Sequence, residues 1–262
     1  MPDFETLILE RKEGLARLTI NRPKSANTLN RKLMQEFNEV LDFLETDRDT
    51  RVVLLTGAGE RHFCGGADLR EATPETAKNM PAFGRDALTH FEDFPKPVIA
   101  VINGAAMGGG CELAIACDFR FMAEEAKIGV PEILFGALPA GGGTQRLPRI
   151  VGLAKAKELI FTGRHLGAQE ALAIGLVTAI CPQKDLMARA ETFAREQLIP
   201  RARYALSTAK LLVTRALDMD LASGLAFERR TIMTMASPAE MAEARESAMK
   251  SNPAYQNIFS KK

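Results

Sequence analysis

Apolar residues change their spacing along this chain, and the changes mark out elements before any chemistry is considered. Two short apolar-rich runs, 7–10 and 15–21, flank Lys12, Glu13 and Gly14, a pattern that predicts an opening β-hairpin. From about Leu29 the period lengthens. Leu33, Phe37, Val40, Leu41 and Leu44 fall at helical intervals, so an amphipathic helix with one core-facing stripe is expected. Residues 51–56 contain Val52, Val53, Leu54 and Leu55 in succession, the mark of a strand buried on both faces, and Gly57 and Gly59 close it.

The polar, Met-rich stretch 74–94 reads as helical, stopped by Pro95 and Pro97 before a second buried strand at 98–102. Gly108, Gly109 and Gly110 then open a helix expected over 111–117, with short strands at 119–122 and 127–130. Strands alternating with helices make the fold class α/β. Beyond about Lys184 only helical spacing remains, with Leu186, Ala190, Phe193 and Ala194, then Ala209, Leu212, Val213, Ala216 and Leu217. The expected organisation is a core over 1–183 and a helical appendage over 184–262, some of whose apolar positions are expected to pack on another subunit.

Bulk composition adds mostly exclusions. The chain of 262 residues is 46% hydrophobic, enough for a substantial core, and 34 basic against 33 acidic residues leave a formal charge of +1. No global field favours nucleic acid or an anionic membrane, so an anionic ligand must be held locally. Cys64, Cys111, Cys117 and Cys181 form no CxxC pair and no zinc-like grouping with His62, His90 or His165; reduced, mostly buried thiols are expected. Residues 1–10 carry acids rather than a basic patch before an apolar core, and no apolar run approaches the ~20 residues of a membrane span. A soluble, cytoplasmic protein without a metal is the expectation.

Candidate chemistry gathers at four glycine-rich turns. In Gly108-Gly109-Gly110-Cys111-Glu112, glycines at a strand-to-helix junction leave backbone N–H groups and the helix dipole facing a ligand, with Glu112 in the first turn. Pro131-Glu132 offers a second carboxylate at a second helix start. Each alone reads equally as a capping, dipole-compensating group. Together they suggest paired acid and base work. Phe63-Cys64-Gly65-Gly66-Ala67-Asp68-Leu69 follows a buried strand, where α/β folds bind ligands, although a plain glycine turn with Asp68 as an N-cap is the alternative. The run 138–147, with Gly141-Gly142-Gly143-Thr144-Gln145-Arg146-Leu147, lacks the Gly-Lys-Ser/Thr ending of a phosphate loop and reads as a tight loop before a helix.

Taken in order, Gly-Gly-Ala-Asp at 65–68, Gly-Gly-Gly-Cys-Glu at 108–112, Pro-Glu at 131–132 and Gly-Gly-Thr-Gln-Arg-Leu at 142–147 resemble the enoyl-CoA hydratase/isomerase, or crotonase, family. Asn21-Arg22-Pro23-Lys24 with Asn27 and Leu29, and Thr162-Gly163-Arg164 with Ala168 and Gly175-Leu176-Val177, extend the likeness over about 7–182. The resemblance implies a spiral of ββα units with C-terminal helices, assembled as a homotrimer or homohexamer. It implies an acyl-CoA substrate and hydration of its 2,3 double bond. Glu112 and Glu132 would share the water, and the backbone N–H groups of Ala67 and Gly109 would form an oxyanion hole. Lys24, Ala26, Ala67, Asp68, Leu69, Arg70 and Gly109 would contact the substrate. No cofactor is implied, since coenzyme A belongs to the substrate itself.

Two departures from the family pattern stand out. Ala140 occupies a place usually held by Gly, where a positive φ would strain an alanine. The tail Met249-Lys250-Ser251-Asn252-Pro253 lacks the usual Glu-Lys-Arg before its proline, which bears on any adenine contact from a neighbouring subunit. An isomerase generally manages with one carboxylate, so retention of both favours hydration. Methylglutaconyl-CoA hydratases, suggested by Leu147-Pro148-Arg149 and Lys157-Glu158-Leu159-Ile160-Phe161, and CoA-dependent lyases are alternatives within the fold. RNA binding is the alternative outside enzymology, and the balanced charge argues against it. GxSxG is absent, and no GxGxxG follows a predicted strand, which sets aside serine hydrolases and dinucleotide oxidoreductases.

Overall fold

A computed structural model of the chain describes residues 3–71 and 87–251, which fall into two compact units, Met1–Ile199 and Pro200–Lys262. The first opens with the expected hairpin: β1 (Leu7–Lys12) and β2 (Leu15–Ile20) pair antiparallel, Leu7 opposite Ile20. The helix Arg31–Thr46 follows. The Asn30 side chain accepts from the Leu33 N–H at 3.0 Å and caps it, and the stripe Leu33, Phe37, Val40, Leu41 and Leu44 is buried as its spacing predicts. Phe37 meets Phe91 edge-on at 5.1 Å between ring centroids.

From there the chain climbs in repeated turns. β3 (Val52–Gly57), β5 (Val98–Ile102) and β7 (Phe119–Ala123) lie parallel in a six-stranded sheet of order β1-β2-β3-β5-β7-β10, with β10 at Ala179–Cys181. The strand after each of them, β4 (His62–Cys64), β6 (Ala105–Met107) and β8 (Lys127–Gly129), crosses into a four-stranded sheet completed by β9 (His165–Gly167). Helices Ala87–Asp93 and Gly109–Ala116 return the chain to the larger sheet. The result is a spiral of ββα turns. β3 and β5 are buried along their whole length, as their unbroken apolar runs require. Of the stretch 74–94, the part within the described residues is the helix Ala87–Asp93 and the buried Phe94 after it; residues 74–86, like Asn252 and Pro253 of the tail, lie outside them.

Two asparagine amides, one half-buried and one fully buried, pin the corners between sheets. Asn103 Oδ1 accepts from Thr56 Oγ1 and Gly57 N, both at 3.1 Å, while its Nδ2 donates to Gly57 O at 2.9 Å and Gly59 O at 2.7 Å. Asn27, fully buried with φ at +55°, accepts from Arg22 N at 3.0 Å and donates to Ala58 O at 3.0 Å and His62 O at 2.8 Å. Asparagine tolerates the left-handed region better than most residues, so one side chain satisfies both the conformation and the backbone polar groups around it.

The first unit reaches beyond residue 183, where a boundary was expected, to Ile199. The helix Gln183–Phe193 and the π-helical segment Ala194–Leu198 bury Leu186, Ala190, Ala194 and Leu198, and Phe193 packs on Phe119 at 5.1 Å. Those apolar positions therefore serve the core of the spiral. The second unit contains helices Arg203–Thr214, Leu221–Thr234 and Pro238–Ser251. Asp220 caps one by accepting from Ser223 N at 3.1 Å, and Ser237 and Glu240 form a reciprocal capping box at the next, at 2.8 and 3.3 Å. Val213, Leu217, Leu221 and Met233 are exposed on this unit. All four cysteines are free thiols, and no helix among the described residues is long and apolar enough to cross a membrane.

Replacing Asn27 by alanine removes three hydrogen bonds and puts a Cβ-bearing, non-bonding residue at positive φ. A loss of about 3 kcal/mol of folding stability is expected, read from the urea midpoint at unchanged slope. A loss under about 0.5 kcal/mol would show that the corner does not depend on this amide.

Candidate active site

Three consecutive turns of the spiral end at the same edge. β4, β6 and β8 are neighbours and parallel in the smaller sheet, so their carboxyl ends align, about 4.8 Å from strand to strand. Beyond β4 comes Ala67, beyond β6 Gly109, and beyond β8 Glu132. Ligands in α/β folds bind at such an edge.

The turn after β6 brings the first carboxylate. Gly108 sits at the N-cap of the helix Gly109–Ala116 with φ +54°, and a Cβ there would come within 2.8 Å of Glu132 Oε1. Both constraints demand glycine. The helix starts two residues before its expected first residue, Cys111, and Glu112 lies in its first turn, 4% exposed. Its Oε1 accepts from the Gly143 N–H at 2.8 Å, and Gly141 is so close that a Cβ would stand 2.7 Å from Oε2. Gly143 begins the helix Gly143–Val151, so the carboxyl also faces a helix amino terminus.

Glu132 follows Pro131 in a five-residue 3-10 helix, Pro131–Phe135, where a helix start was expected. It is half-buried, and among the described residues its buried Oε2 has no hydrogen-bond partner. The two carboxyls share one environment. Burial pushes the Glu112 carboxyl up to about 7, the Gly143 N–H and Arg146 oppose the rise, and the charge of Glu132 adds to it. Glu132 is also raised, by burial. The charge of one carboxyl therefore disfavours ionisation of the other, on top of the effect of burial.

Two amides face this region. Leu29 bridges Ala67 in parallel fashion: its N–H donates to Gly66 O at 2.7 Å, and its carbonyl accepts from Asp68 N at 2.9 Å. Such a bridge uses the groups on either side of Ala67 and leaves the Ala67 N–H pointing the other way. The Gly109 N–H, first in its helix, has no intrahelical acceptor. A Cβ on Gly109 would lie 3.5 Å from Ala67 N, and one on Gly66 3.5 Å from Gly109 N, so the two amides are close neighbours.

Of the other sequence-predicted residues, Lys24 and Ala26 lie in the loop before the Arg31–Thr46 helix, and Asp68, Leu69 and Arg70 follow Ala67 in the loop after β4. Lys24 is exposed, and Ala26 takes φ +51° at the end of the 3-10 turn Pro23–Ser25, its carbonyl accepting from Gly65 N at 2.9 Å. Asp68 is closed off from solvent: its buried carboxylate accepts from Arg70 Nη2 at 2.7 Å and Nε at 2.9 Å, from the Arg70 backbone N–H at 3.3 Å, from Arg22 Nη2 at 2.9 Å and from Thr28 Oγ1 at 3.1 Å. Arg70 foremost, then Arg22, holds it well below the usual carboxylate range. Arg70 also donates to Ser25 Oγ at 2.9 Å, joining the two loops, and Leu69 is 77% exposed. Ala140 is exposed, and its φ is not positive, so the strain considered for an alanine there does not arise.

Sequence reasoning missed the amide of Gly143 and the side chain of Arg146. Both lay inside the noted run 142–147, where the glycine turn drew attention and its neighbours did not. Among the described residues, Asp42, Glu45 and His90 could bring ligand atoms within 4.8 Å of one another, but both carboxylates are exposed, and the group belongs to other elements than this site.

Known proteins share this arrangement of chain. A family model described as enoyl-CoA hydratase/isomerase matches residues 10–257. A short-chain-enoyl-CoA hydratase of Clostridium acetobutylicum is 39% identical over 229 residues, 86% of this chain and 87% of that protein. A mitochondrial methylglutaconyl-CoA hydratase of Rattus norvegicus is 37% identical over 225 residues, 84% of this chain and 71% of that protein. The crystal structure of enoyl-CoA hydratase from Bacillus anthracis superposes with a TM-score of 0.83 at 38% identity, over 87% of this chain and 90% of that one.

The raised Glu112 carboxyl has a consequence for folding. Because the folded protein binds this proton more tightly than the unfolded chain, the stabilisation is complete below pH 4.5 and is lost as pH rises through about 7. The rise from 4.5 to about 7 corresponds to about 3 kcal/mol. Glu112→Gln mimics the protonated form, so the variant should match the wild type near pH 4.5 and exceed it at pH 8 by about that amount in urea unfolding. Parallel stability curves across this range would mean that Glu112 titrates normally.

Proposed function

The chain belongs to the enoyl-CoA hydratase/isomerase family, and from that premise we propose that it is an enoyl-CoA hydratase, adding water across the 2,3 double bond of an acyl-CoA thioester. The observation that supports this reading best is the pair of carboxyls, Glu112 and Glu132, both raised by burial and brought from separate elements near enough for the charge of Glu132 to raise Glu112, beside the amides of Ala67 and Gly109, which donate no hydrogen bond among the described residues.

The chemistry follows from where charge must go. Glu112, ionised, takes a proton from water while the water oxygen bonds to C3. The electron pair of the double bond moves towards C2 and the thioester oxygen, and the Ala67 and Gly109 N–H groups stabilise the charge there. Glu132, protonated, delivers its proton to C2. The hydrogen-bond pattern suits this division: Glu112 accepts an N–H that favours its ionised form, and Glu132 Oε2 has no donor among the described residues. One turnover leaves the proton on Glu112 instead of Glu132, and its return restores the pair. No metal or redox cofactor takes part in these steps, and coenzyme A arrives with the substrate.

On the same reading, Lys24, Ala26, Ala67, Asp68, Leu69, Arg70 and Gly109 line the path of the thioester and its coenzyme, with Asp68 acting through the loops it joins. The exposed apolar residues of the helical unit support assembly into a homotrimer or homohexamer, and the setting proposed is cytoplasmic. The two hydratase relatives carry different acyl groups in their names, so branched enoyl esters belong in the substrate panel beside crotonyl-CoA.

Loss of enoyl absorbance from crotonyl-CoA, with the 3-hydroxyacyl product identified, tests the reaction. Glu112→Gln and Glu132→Gln should each lower kcat by about 100- to 10,000-fold with KM changed by a much smaller factor. Ala67→Pro, which deletes one amide donor, should cost about 100- to 1,000-fold. Equal losses in kcat and in CoA-ester affinity for the glutamate variants, or a folded wild type that hydrates none of the panel, would count against the assignment.

A further inference from the structure

A basic residue in the first turn of a helix opposes the helix dipole, so Arg146, fourth in the helix Gly143–Val151, invites another explanation. Its Nε donates to Glu92 Oε1 at 3.0 Å and its Nη2 to Glu92 Oε2 at 2.9 Å, a bidentate pair that is largely buried on the arginine side. Nη2 also donates to Thr89 Oγ1 at 3.1 Å, and Nη1 to the carbonyl of Gly141 at 3.0 Å. The guanidinium lies hard against the turn: Gly142 has φ +107°, and a Cβ there would stand 1.9 Å from Nη1. On the other side of that turn, Gly143 gives its N–H to Glu112.

We propose that Arg146 is a positioning residue: it clamps the 141–143 turn between the Ala87–Asp93 helix and the Glu112 carboxyl and presents the positive charge that Glu112 faces. This deepens the reading of Glu112 as the base and rests on it. Among the described residues, the charged and titratable groups around Glu112 are Cys111 on its own helix, Glu132 from the 3-10 helix and Arg146 from the following helix, with Glu92 of the Ala87–Asp93 helix behind Arg146. Burial raises Glu112, and Arg146 opposes the rise. Arginine is required by shape as well as charge. Its planar fork serves Glu92 through two nitrogens and keeps the third for Gly141, which a lysine ammonium cannot reproduce.

The variants Arg146→Met, Arg146→Lys and Glu92→Gln separate field from fastening. Each is followed by the pH profile of kcat/KM on crotonyl-CoA and, without substrate, by NMR titration of the 13C-labelled Glu112 carboxyl. Arg146→Met should move the Glu112 titration and the acidic limb upward by about one pH unit, because an opposing charge is gone. Glu92→Gln should move both the other way, since the guanidinium then acts undamped. Arg146→Lys should keep the titration near wild type yet lower kcat by about 10-fold, as misplacement of a supporting group does. An unmoved titration in Arg146→Met, or an upward shift in Glu92→Gln, overturns the proposal. If Arg146→Met does not fold, the other two decide it: a lysine variant with wild-type kcat, or the same upward shift in Glu92→Gln, is equally fatal. The substrate-free titration stands apart from the assay, so inactivity of a wild type whose Glu112 responds as described would refute the hydratase reading and leave the role of Arg146 intact.

Discussion

Taking Glu112 out of water is the constraint on which the rest of the molecule turns. An ionised carboxylate in a dry site costs several kcal/mol unless donors or opposite charge receive it. The chain provides a helix start on one side, the Gly143 amide on another and a guanidinium behind that amide. It also provides a second carboxyl, which works against ionisation. The balance leaves a carboxyl raised to about 7, a value that suits the base proposed for the reaction. Glycine at 108, 141 and 143 follows from the same demand, because any side chain there would occupy the space of a glutamate oxygen.

The surrounding loops meet a different problem, that of holding open backbone in one conformation. The loops at 22–31 and 65–71 carry little regular structure, yet Asp68 gathers Arg22, Thr28 and Arg70, and Asn27 ties the first loop to both ends of the β3 to β4 corner. A buried anion and a buried amide do the work that a longer strand would do elsewhere. The Ala67 N–H is held in place by these loops and donates no hydrogen bond among the described residues, which suits the oxyanion-stabilising role proposed for it.

Much of this was legible in the sequence, and the pattern of success has physical causes. The stripe from Leu33 to Leu44 and the runs in β3 and β5 are long enough for periodicity to speak. β4, β6, β9 and β10 are three residues each, too short to show a period, and they exist because neighbours complete their ladders. Glu112 and Glu132 stood out because glycine and proline punctuate their helix starts. Asn27, Asp68 and Arg146 did not stand out as they deserved, since their partners lie 35, 46 and 54 positions away and side-chain pairing at that range leaves no local mark. The end of the first compact unit at Ile199 left no local mark for a related reason: helical spacing beyond 183 looks the same whether a helix closes this core, as Leu186 and Ala190 do, or belongs to another unit.

The alignment of β4, β6 and β8 gives each rung of the small sheet its own chemical group at a common edge. Strand pairing fixes the pitch between rungs, and the identity of the group is left to the residue just past each strand. Altering one junction therefore changes one chemical position while the ladder beneath it stays in register. A scaffold of this kind can acquire new reactions by point replacement along the edge, with its architecture conserved.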